Sequence, residues 1–217
     1  MEYLIGVDDA GRGPVIGPMI VAGLLIKKED ESFLKKIKVK DSKLLSPTIR
    51  NKLKEELTKK FSFFYQIISP EEIDSSSNLN TLEAQYFAVI INKLSLNLKG
   101  KIEVFVDCPS VNINKWKKLL SSMLLRKDLK LVVEHKADFK YLVVSGASII
   151  AKEKREEEIK KLKKELNLDF GSGYPSDPKT ISFLKENFKD EKIKKIIRKK
   201  WESFKRLEKK EQQKKLF

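Results

Sequence analysis

Two adjacent carboxylates, Asp8 and Asp9, close a short apolar run from Tyr3 to Val7 and lead straight into Ala10-Gly11-Arg12-Gly13-Pro14. Glycine and proline at this density mean a turn with a set backbone shape. Acids beside a Gly-Arg-Gly loop make chemical sense if the acids hold metal ions while the loop lies close to a phosphate backbone. Two further acids sit at the ends of apolar runs. Asp107 is the last residue of Ile102-Glu103-Val104-Phe105-Val106-Asp107, and Asp138 follows the run from Lys130 to Glu134, just ahead of a long helical segment. Taken singly, each reads as a turn or N-cap residue. In α/β sheets, however, sites gather where strands end and loops begin. Four carboxylates converging there would offset two divalent cations, and hard oxygen donors without His or Cys select Mg²⁺ or Mn²⁺. Two such ions, about 4 Å apart, serve in-line phosphoryl displacement.

Other chemistries fit poorly. A dinucleotide-binding loop needs a third glycine where this chain has Ile16, and a helix beginning where it has Pro14. A single cysteine, Cys108, excludes an intramolecular disulfide and a multi-cysteine zinc site. It reads as a small buried residue, with nothing nearby in sequence to activate it as a nucleophile. The lone His135 argues against histidine-based metal or triad chemistry.

Five strands are predicted, over Tyr3 to Val7, Pro18 to Ile26, Phe61 to Ser69, Ile102 to Asp107 and Lys130 to Glu134. The first three are joined by connections holding at most one short helix, and the last two alternate with helices. That order predicts an α/β fold, a mixed sheet with helices on its faces. Ser46-Pro47 opens one helix and Asp177-Pro178 another. Asn80 with Glu83 reads as a capping box, followed by an apolar face of Ala84, Phe87, Ala88 and Ile91. A long helix is expected from Tyr141 to Leu166, with small residues (Ala147, Ser148, Ala151) that let it approach the sheet closely.

At 217 residues the chain is expected to form one ordinary domain with an appendage, residues 1–188 and a basic helical extension over 189–217. The formal net charge is +15, and 13 of the 46 basic residues but only 5 of the 31 acidic ones lie between Lys189 and Lys215. Such a surface points to a polyanion, with nucleic acid the first candidate. Lys/Glu-rich helices of heat-adapted proteins give a similar composition. No apolar stretch is long enough to span a bilayer, so a cytoplasmic monomer is expected.

Several segments, taken as an ordered set, resemble the ribonuclease HII (type 2 ribonuclease H) family of the archaeal kind. They are Gly6 to Pro18, Lys40-Asp41-Ser42-Lys43, Phe105-Val106-Asp107, Glu134 to Asp138, Ser145 to Lys152 and Gly171 to Pro178. The resemblance implies a ribonuclease H-like five-stranded mixed sheet with its first and fourth strands adjacent and parallel. It implies an endonuclease for the RNA strand of RNA–DNA hybrids and for single ribonucleotides embedded in DNA. In family terms, Asp8, Asp9, Asp107 and Asp138 hold the metals, and Gly11, Arg12 and Gly13 read the ribonucleotide. Lys43 and Lys152 contact phosphate, Lys152 having a snorkelling helix lysine as its plainer reading. Tyr174 packs on the sugar at the RNA–DNA junction, where the 2′-OH separates ribose from deoxyribose.

One departure matters. The family carries Glu where this chain has Asp9, one methylene shorter, or roughly 1.5 Å of reach. That leaves open a catalytically weakened hybrid-binding protein as the second reading. The chain ends Gln213-Lys214-Lys215-Leu216-Phe217, which resembles a shortened form of the motif by which replication proteins dock on the sliding clamp.

Overall fold

The computed structural model describes residues 1–39 and 45–214. Lys43, Leu216 and Phe217, all singled out from the sequence, lie outside the described residues. Five strands form the sheet: β1 (Glu2–Ala10), β2 (Met19–Lys27), β3 (Ser62–Ile68), β4 (Lys101–Asp107) and β5 (Lys130–Glu134), in the order β3-β2-β1-β4-β5. The helices are α1 (Glu31–Lys36), α2 (Pro47–Lys60), α3 (Pro70–Ser75), α4 (Leu79–Ser95), α5 (Ile113–Met123), α6 (Ala137–Lys140), α7 (Leu142–Leu166), α8 (Pro178–Asn187), α9 (Glu191–Lys194) and α10 (Glu202–Lys214).

The chain groups into two compact units. The first comprises residues 1–10, 20–67 and 78–154; the second comprises 11–19, 68–77 and 155–217. The sheet belongs to the first. Strand β1 is antiparallel to β2 and parallel to β4, and β4 is parallel to β5. The first and fourth strands are therefore neighbours and parallel, as the family resemblance implies. Continuous burial along β1 and β2 gives these strands their near-unbroken apolar sequence, because both faces of the sheet are covered.

Three sequence expectations need correction. Strand β1 does not stop at Val7; pairing with β2 continues through Asp8↔Ala22, Asp9↔Val21 and Ala10↔Ile20. The two acids thus lie in the strand, past the point where the parallel pairing with β4 ends at Val7↔Val106. Between β2 and β3 the chain forms not one short helix but a 3₁₀ turn and two helices, α1 and the 14-residue α2. Helix α4 starts one residue before Asn80. Its N-cap is Asn78, whose side chain accepts the Thr81 N–H at 3.3 Å, and Glu83 is fully buried instead of closing a capping box. Asp138 lies just ahead of the long helix α7, as expected, within the short helix α6.

Helix α7 packs on the sheet through its small residues. A Cβ on Gly146 would come within 2.5 Å of Leu24 Cδ2, and a Cβ on Gly6 would lie 2.3 Å from the Val143 carbonyl carbon and oxygen. Gly6 pairs with Leu24 on one side and Phe105 on the other, so the strand cannot yield. The second unit has its own apolar core, in which Val15, Ile16, Ile159, Phe170, Phe183, Leu184, Ile193, Ile196, Ile197 and Phe204 are buried.

Gly6→Ala is therefore expected to destabilise the protein by about 3 kcal/mol or more, since a methyl group would meet backbone atoms held in place on all sides. Gly23→Ala, whose added carbon would meet the ends of Ile90 and Leu94, should cost less. Urea denaturation of the two variants checks the order.

Candidate active site

The parallel register of β1 with β4 sets the first contact. Val7 pairs with Val106, so the next residues, Asp8 and Asp107, stand side by side at the carboxyl end of both strands. Asp107 in turn pairs with Glu134 of β5. After Glu134 the chain turns sharply: Lys136 adopts a left-handed conformation (φ 57°), which costs roughly 1–2 kcal/mol for a residue with a side chain. What secures the turn is Asp107 itself, whose Oδ1 accepts the Ala137 N–H at 3.1 Å. The next residue is Asp138. Oxygens of Asp8, Asp107 and Asp138, one from each, lie within 4.8 Å of one another, with Asp8 and Asp138 buried.

Asp9 stands outside this triad. Successive side chains along a strand project to opposite faces, and Asp9 follows Asp8 directly. It contributes instead through its backbone N–H, which donates to Asp8 Oδ1 at 2.8 Å, and through its charge. Burial holds the Asp8 carboxyl well above its ordinary pKa; the negative charges of Asp9 and Asp107 act in the same sense. A hydrogen bond with Ser148 of α7 opposes them. Ser148 is fully buried and had no role read from the sequence beyond being small.

The donor set suits a hard divalent cation. Three carboxylates converge, their mutual repulsion calls for a positive charge between them, and the two softer candidates close by are turned elsewhere. His135 Nδ1 lies 3.2 Å from the Cys108 carbonyl oxygen, and Cys108 Sγ, buried, lies 3.4 Å from the Ser110 carbonyl oxygen. An all-oxygen set favours Mg²⁺ or Mn²⁺ over Zn²⁺.

The second unit holds the Gly-Arg-Gly loop. Gly11 has φ +86°, and a Cβ there would meet Arg155 Cδ and Nε at 2.4 Å, so only glycine fits on two counts. Gly13 is different. It is exposed, its φ is not positive, and a Cβ would meet nothing closer than Tyr174 Cε1 at 3.6 Å. The Tyr174 loop is tied to this one: the Gly173 carbonyl accepts the N–H groups of Val15 at 2.8 Å and Ile16 at 3.2 Å. Tyr174 is exposed, and the Arg155 guanidinium carbon sits 5.3 Å from its ring centre. Asp177 braces the loop by accepting the Ser172 N–H and hydroxyl at 2.7 and 2.8 Å, which pushes its pKa down to about 2. Lys152 is half-buried on the first unit's part of α7. Arg155 was missed in the sequence, although it falls four residues after Ala151 and four before Ile159, on the buried face of the same helix.

The chain is similar to known proteins over most of its length. The ribonuclease HII family profile matches residues 5–204. Ribonuclease HII of Pyrococcus furiosus is 44% identical over 206 residues, which cover 94% of this chain and 90% of that protein. The crystal structure of ribonuclease H2 from Pyrococcus horikoshii OT3 is similar with a TM-score of 0.86 at 39% identity, covering 96% of this chain and 98% of that one. The structure of the PCNA:RNase HII complex from Archaeoglobus fulgidus gives a TM-score of 0.81 at 39% identity, covering 92% and 95%.

The opposed shifts of Asp8 and Asp177 generate a pH prediction for the protein in chelator. An acid whose folded pKa is raised contributes stability that is present below its unfolded pKa of 3.8 and is lost as pH rises through the folded value. Asp177, held down to about 2, contributes stability that is present above 3.8 and is lost as pH falls towards 2. The metal-free Tm is therefore expected to rise as pH is lowered from 7 towards 4 and to fall below that. Asp8→Asn should flatten the upper limb and leave the lower one, as followed by calorimetry across the pH series.

Proposed function

The chain belongs to the ribonuclease HII family and is a hydrolytic endonuclease of the ribonuclease H type; on that premise we propose that it cuts the RNA strand of RNA–DNA hybrids and cuts beside single ribonucleotides embedded in duplex DNA. The observation that carries the reading is the buried convergence of Asp8, Asp107 and Asp138 at the carboxyl end of β1 and β4. These three would hold Mg²⁺ or Mn²⁺, with Asp9 adding negative charge beside them. Divalent ions bound there supply Lewis acidity, lowering the pKa of an attacking water and offsetting charge on the leaving oxygen.

The protein's own groups orient the carboxylates before any substrate arrives. Asp8 is fixed by the Asp9 N–H and Ser148, and Asp107 by the Ala137 N–H. Each carboxylate therefore enters the reaction with its rotamer already chosen, which is what placing reacting atoms to a fraction of an ångström requires. For the substrate we assign Gly11, Arg12 and Gly13 to the ribonucleotide, Tyr174 to the junction sugar, and Lys43 and Lys152 to phosphates. Gly13 supports this assignment: it is exposed and carries no side chain, and its nearest neighbour to an added Cβ is Tyr174 at 3.6 Å, so the loop surface there is open to close approach by a ligand.

The A. fulgidus relative was solved in complex with PCNA, a sliding clamp. By analogy we propose that the tail from Gln213, through Leu216 and Phe217, docks on a clamp; the Gln213 side chain is exposed. This would bring the enzyme to newly made DNA.

A duplex containing one ribonucleotide, incubated with Mg²⁺ or with excess EDTA and resolved on a denaturing gel, tests the activity directly. Cleavage is expected only with the metal, and Asp107→Asn should lower it at least about 100-fold, since losing a ligating charge displaces the reacting groups and misplacement by about 1 Å alone costs that much. Gly13→Ala should leave Tm within a degree or two while lowering cleavage at least tenfold. Equal activity of Gly13→Ala and wild type would remove the loop from the substrate site. Binding of the duplex without cleavage by the wild type, restored to cleavage by Asp9→Glu, would establish the weakened hybrid-binding protein instead. For the tail, calorimetry with the sliding clamp of the same organism should show binding that Leu216→Ala/Phe217→Ala abolishes.

A further inference from the structure

We propose that Arg198 and Trp201 are positioning residues for the ribonucleotide-reading loop, setting the direction of its peptide groups. The inference rests on the reading that Gly11, Arg12 and Gly13 meet the substrate. Arg198 is 0% exposed, and its guanidinium forks over three backbone carbonyls of one loop: Nη2 donates to Gly11 at 2.7 Å, Nη1 to Arg12 at 2.9 Å and Nε to Gly17 at 3.0 Å. Trp201 Nε1 donates to the next carbonyl, Gly13, at 3.0 Å, and its ring lies 4.9 Å from the Arg198 guanidinium carbon. The carbonyls of three consecutive residues, 11 to 13, are thus all taken by two side chains from one short segment. That segment is itself held. The Arg198 N–H donates to the Val15 carbonyl, and the Asp74 carboxylate accepts the N–H groups of Lys199 and Lys200 at 2.7 and 3.1 Å.

The consequence follows from peptide geometry. A trans peptide is planar, with its C=O and N–H pointing in opposite directions, and among the described residues there is no cis peptide bond. Drawing the Gly11 and Arg12 carbonyls towards Arg198 therefore turns the N–H groups of Arg12 and Gly13 the other way. In the third peptide the nitrogen belongs to Pro14 and carries no hydrogen, so the Gly13 carbonyl is its only polar group, and Trp201 takes it. A loop with two glycines in three residues has many accessible shapes; charge-assisted bonds from a planar, rigid donor select one. Lysine cannot substitute, because three donors on a single atom do not span three separate carbonyls.

The test uses the intact protein with Mg²⁺ and two quantities: kcat/KM on a duplex with one ribonucleotide, and the Ki of the all-DNA duplex of the same sequence as a competitive inhibitor. The variants are Trp201→Phe, which keeps the ring and loses the donor, and Arg198→Lys, which keeps the charge and loses the fork. Loss of the loop's set shape should lower kcat/KM about three- to tenfold in Trp201→Phe, the span expected for one hydrogen bond, and more in Arg198→Lys, with Ki unchanged in both. A merely structural role would weaken both quantities together along with Tm, and that outcome overturns the proposal. So does a Trp201→Phe protein indistinguishable from wild type, whether or not Arg198→Lys folds. A wild type that does not cleave the ribonucleotide duplex refutes the substrate reading itself, a result separate from either of these.

Discussion

The pairing of β1 with β4 brings the buried Asp8 beside the half-buried Asp107, and like charges held this close are unfavourable unless something offsets them. Much of the first unit can be understood as the response to that constraint. Local donors come first: the Asp9 N–H on Asp8 and the Ala137 N–H on Asp107. The Ser148 hydroxyl reaches Asp8 only because α7 lies close to the sheet, and α7 lies close because Gly6 and Gly146 leave no side chain in the way. A third carboxylate, Asp138, is then brought in by a left-handed turn at Lys136 that Asp107 itself anchors. Three carboxylates brought this close repel one another, and a divalent cation between them would offset that repulsion.

The second unit solves a different problem, holding a flexible loop still. Here the charge is positive and buried. Arg198 and Arg155 are both nearly inaccessible, and their guanidiniums face carbonyls and an aromatic ring. The basic excess between residues 189 and 215 is therefore of two kinds. Some cations, such as Lys195 and Lys199, are exposed and available to a polyanion; Arg198 belongs to the core of its unit, beside Ile196 and Ile197. Net charge alone overstates the surface, because it counts both kinds alike. The apolar residues of the same segment, Ile193, Ile196, Ile197 and Phe204, join Val15, Ile16 and Phe183 in one cluster.

Local chemistry made a good part of this legible. Apolar runs located the strands, small residues marked the helix that packs closely, Ser46-Pro47 and Asp177-Pro178 marked helix starts, and acids at strand ends pointed to a metal site. The failures share a cause. Strand β1 extends past Val7 because its partner β2 continues, and pairing partners are invisible in a single segment. Asn78 caps α4 in place of Asn80 because the buried face of the helix, including Glu83, is set by what packs on it. Arg155 reads as one more charge on a charged helix until its neighbours are known.

By itself the sequence determined the residue types available for chemistry, the mixed sheet flanked by helices, the absence of a dinucleotide loop and of cysteine-based sites, and the family. All but the family follow from composition, periodicity and short-range spacing carried along the chain; the family came from the resemblance of an ordered set of segments. Which carboxylates meet was decided by tertiary structure: register joined Asp8 to Asp107, a turn added Asp138, and strand alternation set Asp9 apart. So was the capture of the loop carbonyls by Arg198 and Trp201, some 187 and 188 residues away along the chain. Contacts between distant segments depend on how elements pack and pair, and no local pattern of residues encodes that distance.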